Sequence, residues 1–366
     1  MNRDRYFDSL RVLAIIRVVL FHAFPFAALE LVFPSMGVMF ALGGSLMVKS
    51  LDKSVSRTIR NRIRRLLPAL WVMGLILVPL MLRLGWPDHA RWSLLLWLFP
   101  VANPPASEFG YPAAGVLWYL VTYLWLVLLS PLLLKLYRRA RLATILLPLA
   151  LLGVFVIHPD VFGAQAGEVV QNVLMFAACW VLGFAHREGD LRRVRAAVLL
   201  PLAVAAVGGT LLWAFEHPAD TGFDLVGIPL AYAIYSVGFV LVLLRWSPPM
   251  GWLARARPVD RFVSMVNNRA VTIYLWHNVA ITIAVVLFDP LKLWEIPTQV
   301  LEDVVDFALA MSLLVVAVLS LGWVEDIAAR RKPRMSPFPR PRRTAPAAVV
   351  PQPAAPEPAT VQPVPA

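Results

Sequence analysis

The chain has 366 residues, 59% of them hydrophobic and 15% charged, against roughly 25% charged in a soluble domain. That composition excludes a soluble globule. The net charge of +12 would suit nucleic acid, but its Lys and Arg sit in short clusters between long apolar runs, which points to a lipid bilayer and away from a nucleic-acid partner. The single cysteine, Cys179, allows no intramolecular disulfide, and no CxxC or Cys/His cluster offers a metal site.

Hydrocarbon offers no water to backbone amides, so apolar stretches of about 20 residues are expected as helices that satisfy their own hydrogen bonds. Ten such stretches follow one another: residues 10–28, 34–51, 66–84, 113–136, 142–157, 169–186, 196–215, 225–246, 270–288 and 303–324. A shorter run, 92–102, ends in Asn103, Pro104 and Pro105 and is expected to lie at the interface without crossing. The alternate connections and the two ends carry 29 of the 34 Lys and Arg, whereas the opposite side holds Arg83, Arg91 and Lys292. Both termini are therefore expected in the cytoplasm. Arg3 and Arg5 ahead of an apolar run resemble a signal peptide, but Arg17 and His22 interrupt that run, and its removal would leave an odd number of spans. From residue 330 the composition turns to Pro, Ala and Arg, with eleven prolines between Pro333 and Pro365, which is expected to be disordered. Its Arg340, Arg342 and Arg343 could touch anionic lipid, though a solvated end is the simpler reading. The expected architecture is an all-α polytopic protein of the cell membrane, with a ten-span module at 1–329 and a cytoplasmic tail at 330–366.

Charged or titratable groups inside a bilayer are costly and become functional candidates. In the first span Arg11 and His22 are eleven positions apart, about 20° around a helix and about 16 Å along it, hence on one face. Arg11 is expected near the inner headgroups and His22 at mid-membrane depth, where a neutral imidazole can act as a general base. The same pair also fits a snorkelling arginine and an interhelical hydrogen bond. The ninth span adds His277, about 12 Å in from Arg269 along a helix, so two imidazoles could face one cavity. Ahead of the third span lie Arg62 and Arg65, three apart and neighbours on a helix surface. Such a fork suits phosphates, and it equally suits plain topological anchoring. Trp118 and Tyr119 open the fourth span at the outer interface, where aromatic residues are expected in any case. Cys179 lies in an apolar run and is not expected to act as a nucleophile.

Several segments in this order resemble acyltransferase family 3, a group of integral membrane enzymes. Phe7-Asp8-Ser9-Leu10-Arg11 followed by His22 is similar to the family's opening signature, and Gly37 to Gly44 to its second-helix motif. Arg62-Ile63-Arg64-Arg65 before Pro68 resembles its RxxR element, Leu117-Trp118-Tyr119-Leu120 a segment before a long helix, and Tyr274-Leu275-Trp276-His277 its late Tyr-Leu-x-His pattern. Two positions depart from it: Gly43, where the family usually has Ser, and Ser9, where it usually has Gly. The chain resembles the single-module form, without the extracellular esterase-like domain fused to some members.

The resemblance implies acyl transfer from an acyl-coenzyme A, foremost acetyl-coenzyme A, to a hydroxyl of a carbohydrate or small polar acceptor, with no metal. It implies that Arg62 and Arg65 hold the donor's phosphates and that His22 is the base. Arg11 would balance charge, His277 or Tyr274 would position the acceptor or stabilise the oxyanion, and Trp118 and Tyr119 would help position substrate. A secondary transporter of a small polar solute is the alternative, since it too places polar groups at mid-membrane. It usually shows inverted Gly/Pro-broken spans, which are not visible here.

Overall fold

Each of the ten apolar stretches is built around a helix, because intra-segment hydrogen bonds are the economical way to satisfy a backbone in so apolar a sequence. The computed structural model describes residues 4–24, 26–86, 91–218, 224–293, 296 and 298–334. The principal helices are α1 (Arg5–Ala23), α2 (Ser35–Leu51), α3 (Val55–Arg83), α4 (Leu117–Arg139) and α5 (Arg141–Ile157). They continue with α6 (Ala164–Glu188), α7 (Ala196–Glu216), α8 (Pro229–Arg245), α9 (Ala270–Leu287) and α10 (Gln299–Leu321). No strand occurs among the described residues. Six helical segments are long and apolar enough to cross a bilayer: α3, Tyr111–Arg139 (which contains α4), α6, α7, α9 and α10. The chain is a multi-pass membrane protein. Helices α2, α5 and α8 are apolar but shorter, at 17 residues each. The expected interfacial run contains a short 3₁₀ segment, Arg91–Trp97.

Two of the boundaries that differ from the sequence expectation have a cause in the neighbouring residues. Helix α1 stops at Ala23, five residues short of the apolar run's end, and Phe24 takes an extended conformation (φ −135°, ψ 94°). The cause is in the sequence: the residue before a proline, here Pro25, is pushed out of the helical region. Helix α3 begins at Val55, eleven residues early, because the Ser54 hydroxyl caps it by accepting from the Arg57 N–H at 3.4 Å. Its first turns carry the whole arginine cluster, which makes Arg62 and Arg65 neighbours on one helix face.

The bundle has two packed cores, one around α2, α6 and α8 and one around α1, α3, α4 and α9. Helices α2 and α6 cross in backbone contact, since the hydrogen of Gly44 faces the Trp180 carbonyl and that of Gly183 faces the Ala41 carbonyl. Helices α7 and α10 are the least buried of the long spans. Helix α7 packs on α8, and α10 on α9.

Two short segments brace the arginine-rich end of the bundle. The helix Arg257–Asn268 docks on the start of α1, where Arg5 pairs with Asp260 at 2.7 Å and Asn267 Nδ2 donates to the Asp8 carbonyl at 2.9 Å. The helix Trp323–Ala328 folds onto α3, with Arg64 Nε donating to the Ala328 carbonyl at 3.2 Å. Its Asp326 forms a buried ion pair with Arg269 at 2.8 Å. A buried charge left without such a partner would cost several kcal/mol.

Candidate active site

A cavity of about 310 Å³ lies between α1, α2, α3, α4 and α9, and its lining changes from one end to the other. Arg11, Arg62, Arg65, Asn267 and Glu325 line one end. Tyr119, Tyr123 and Tyr274 form the middle, and Val18, Val19, Met36, Met39 and His277 line the far end. At the helical rise per residue, the wall from Leu46 to Met36 along α2 extends about 15 Å. A slender ligand with an anionic head and an apolar tip matches this polarity gradient.

At the arginine end, Arg11 Nη1 donates to Asn267 Oδ1 at 2.9 Å, while Asn267 Nδ2 donates to the carbonyls of Asp8 and Val263 at 2.9 Å each. A guanidinium only donates and a carbonyl only accepts, so the Asn267 amide has one orientation and holds Arg11 against the wall. Arg62 is half-buried and its Nη2 reaches the Leu46 carbonyl at 3.4 Å; Arg65 is exposed. Glu325 Oε1 accepts from both the backbone N–H and the hydroxyl of Thr272 at 2.6 Å. Burial pushes this carboxyl above the usual carboxylate range, and the Thr272 hydrogen bonds work against that rise.

At the far end the two imidazoles meet. The rings of His22 and His277 stand edge to face with centroids 4.9 Å apart and an interplanar angle of 77°. His277 is fully buried and lines the cavity. His22 is exposed, does not line the cavity, and stands in the last turn of α1. His22 thus stands at a helix end, because α1 is cut short before Pro25. His22 Nδ1 lies 2.9 Å from the Val18 carbonyl and His277 Nδ1 lies 2.6 Å from the Tyr274 carbonyl. A carbonyl can only accept, so in each neutral ring Nδ1 carries the hydrogen and Nε2 keeps its lone pair. In His277 that Nε2 is buried and meets no hydrogen-bond partner. The partner of His22 Nδ1 is thus a backbone carbonyl one helical turn earlier.

Six of the eight residues singled out by sequence, Arg11, Arg62, Arg65, Tyr119, Tyr274 and His277, line this one cavity. His22 joins it through His277. Trp118 turns away, stacking on Phe176 at 5.7 Å behind Tyr119. Tyr119 packs between Phe40 and Tyr274, at 4.8 Å and 5.1 Å. The departure at Gly43 also has a local cause: a Cβ there would stand 2.7 Å from the Trp180 indole and 3.3 Å from the Tyr123 ring, so a serine has no room. Sequence reasoning missed Asn267, Tyr123 and Glu325. For Asn267 and Glu325 a signal existed, since polar residues stand immediately before Arg269 and immediately after the last apolar run, where helix ends meet the arginine cluster.

A family model described as an acyltransferase domain matches residues 4–324, which takes in both imidazoles, the arginine fork and every residue that lines the cavity except Glu325. The chain belongs to acyltransferase family 3. No curated protein and no solved structure matches it. The cavity of this acyltransferase is accordingly lined by all five of the segments on which the resemblance rests, the Arg11 signature, the Gly43 segment, the Arg62/Arg65 pair, Tyr119 and Leu120 of the fourth-span segment and the Tyr274 to His277 pattern. Their convergence from α1, α2, α3, α4 and α9 is a property of the fold that no one segment displays.

Proposed function

We propose that this acyltransferase moves an acyl group, foremost acetyl, from acyl-coenzyme A to a hydroxyl of a carbohydrate or other polar acceptor. The observation that carries the reading is the single cavity with guanidinium groups at one end and the paired imidazoles at the other. The donor's phosphates bind Arg62 and Arg65, where guanidinium forks match phosphoryl oxygens. Its flexible arm passes the tyrosines, and its thioester carbonyl comes to His277. By the distribution of positive charge the arginine end faces the cytoplasm.

The acceptor approaches from the exposed side of His22. His22 Nε2 takes the proton of the acceptor hydroxyl as its oxygen attacks the thioester carbon. The C–O bond forms, the C–S bond breaks, and the electron pair leaves with sulfur. The thiolate then regains the proton collected by His22, with the bare Nε2 of His277 on the cavity side of the path. Arg11, held by Asn267, offsets negative charge along the donor. Positioned general bases of this kind typically contribute 10² to 10⁴ in rate.

The test is transfer of labelled acetyl from acetyl-coenzyme A to a panel of sugar acceptors by purified protein in detergent. His22→Ala is expected to unfold at the wild-type temperature and to lose roughly 10² to 10⁴ of kcat. Wild-type turnover in that variant removes His22 as the base.

A further inference from the structure

Coenzyme A carries three phosphates: a pyrophosphate next to its flexible arm and a separate monophosphate on its adenosine ribose. With Arg62 and Arg65 on the pyrophosphate and Arg11 tied to Asn267, that third phosphate calls for a further cation. The structure places a further arginine, Arg331, near Arg65 and next to Asn268 and Asp326, on a segment outside the family's arginine element.

After the short helix Trp323–Ala328, whose Glu325 lines the cavity, the chain turns back on itself. Arg330 takes a left-handed conformation (φ 57°), and the Arg331 N–H donates to the Asp326 carbonyl at 2.7 Å. The turn is tied down again at Arg334, whose N–H donates to Asp326 Oδ2 at 3.2 Å and whose carbonyl accepts from Arg269 Nη2 at 2.8 Å. The backbone of Arg331 is therefore fixed beside α3. Its side chain is half exposed and makes two long contacts, Nε to Asp326 Oδ1 at 3.5 Å and Nη1 to Asn268 Oδ1 at 3.4 Å. Asp326 is already committed to Arg269 at 2.8 Å. Arg65 lies within electrostatic range of Arg62, Arg64 and Arg331. Four like charges gathered at one rim repel one another unless an anion comes between them. Topological anchoring calls for positive charge on this side but for no such fixed geometry.

We infer that Arg331 binds the ribose phosphate of the donor and so selects a full coenzyme A thioester over donors lacking that group. Arg62 and Arg65 take the pyrophosphate further in. The inference rests on the acyl-coenzyme A reading above.

The experiment compares acetyl-coenzyme A with acetyl-dephospho-coenzyme A, which lacks only the ribose phosphate, in full-length protein and in Arg331→Ala. The unaltered protein is expected to favour acetyl-coenzyme A by about fivefold in kcat/KM, the scale of a partly exposed charge-assisted contact. Arg331→Ala is expected to lose that preference while keeping its wild-type kcat/KM for the dephospho donor. An equal loss with both donors, in Arg331→Ala and again in Arg331→Lys, would make Arg331 a brace for Asp326 and overturn the inference. An undiminished preference in Arg331→Ala would overturn it as well. Transfer from neither donor by the unaltered protein overturns the acyl-coenzyme A reading itself, and this inference with it.

Discussion

Asn267 shows how much of this site depends on a residue with no chemistry of its own. Its one amide joins two helices through three partners: it accepts from Arg11 on α1, donates to the Asp8 carbonyl on the same helix, and donates to the Val263 carbonyl on its own short helix. Removing it strands the Arg11 guanidinium and the Asp8 carbonyl together in a half-buried setting. Leaving buried polar groups unpaired typically costs about 1–3 kcal/mol. Asn267→Ala is therefore expected to lose that much stability in a chemical or thermal melt, and to raise KM for the donor more than it lowers kcat, because Arg11 lines the donor's path and stands apart from the imidazoles. A variant with wild-type stability and KM would show that Arg11 needs no such support. At this scale the sequence was legible wherever a polar group stood alone in an apolar run, as Arg11, His22 and His277 do. For Asn267 it offered only a polar residue just before Arg269 and not its role, which comes from three partners, two of them more than 250 positions away in the chain.

Among elements, the α2–α6 crossing brings two backbones into contact, and the same α2 lines the cavity with Met36, Met39, Gly43 and Leu46. A Cβ on Gly44 would overlap the Trp180 carbonyl, and a carbonyl, unlike a side-chain tip, moves only if α6 moves. Gly44→Ala is expected to destabilise the protein by at least about 1–3 kcal/mol, the usual cost of overpacking, and to shift Gly43 and Leu46 on the cavity side. Gly208→Ala in α7 is the matched control. Nothing lies within 4 Å of a Cβ there, so it should be neutral or stabilising by up to about 1 kcal/mol through helix propensity. Melting temperatures of the two variants in the same detergent separate a packing requirement from a general intolerance of change. The helices themselves were legible from hydrophobic runs, and most ends fell within a few residues of the apolar boundaries. Two of the larger misses have physical causes that hydropathy does not weigh. Pro25 cuts α1 short although the apolar run continues, and the Ser54 cap starts α3 among arginines that no hydropathy window would include. The second miss matters for function, since it places Arg62 and Arg65 on one rigid face.

On the scale of the whole molecule, the question is where the working unit ends. Composition put the boundary at residues 329–330, where the Pro-rich stretch begins. Beyond that boundary the described residues continue to Arg334, which is held by Asp326 and Arg269. Arg340, Arg342 and Arg343, considered above for lipid contact, lie outside the described residues. Two truncations distinguish the boundaries. Ending the chain after Arg334 removes mainly proline, alanine and arginine, a composition unable to build a core, and is expected to leave melting temperature and donor kinetics unchanged. Ending it after Ala329 removes Arg331 and both backbone partners at Arg334. Arg269 keeps Asp326 and the Gly322 carbonyl, so the bundle should still fold, with a lower melting temperature and a raised KM for acetyl-coenzyme A. If the two truncations behave alike, residues 330–334 belong with the tail, and the rim of guanidinium groups around the donor's head is complete without them.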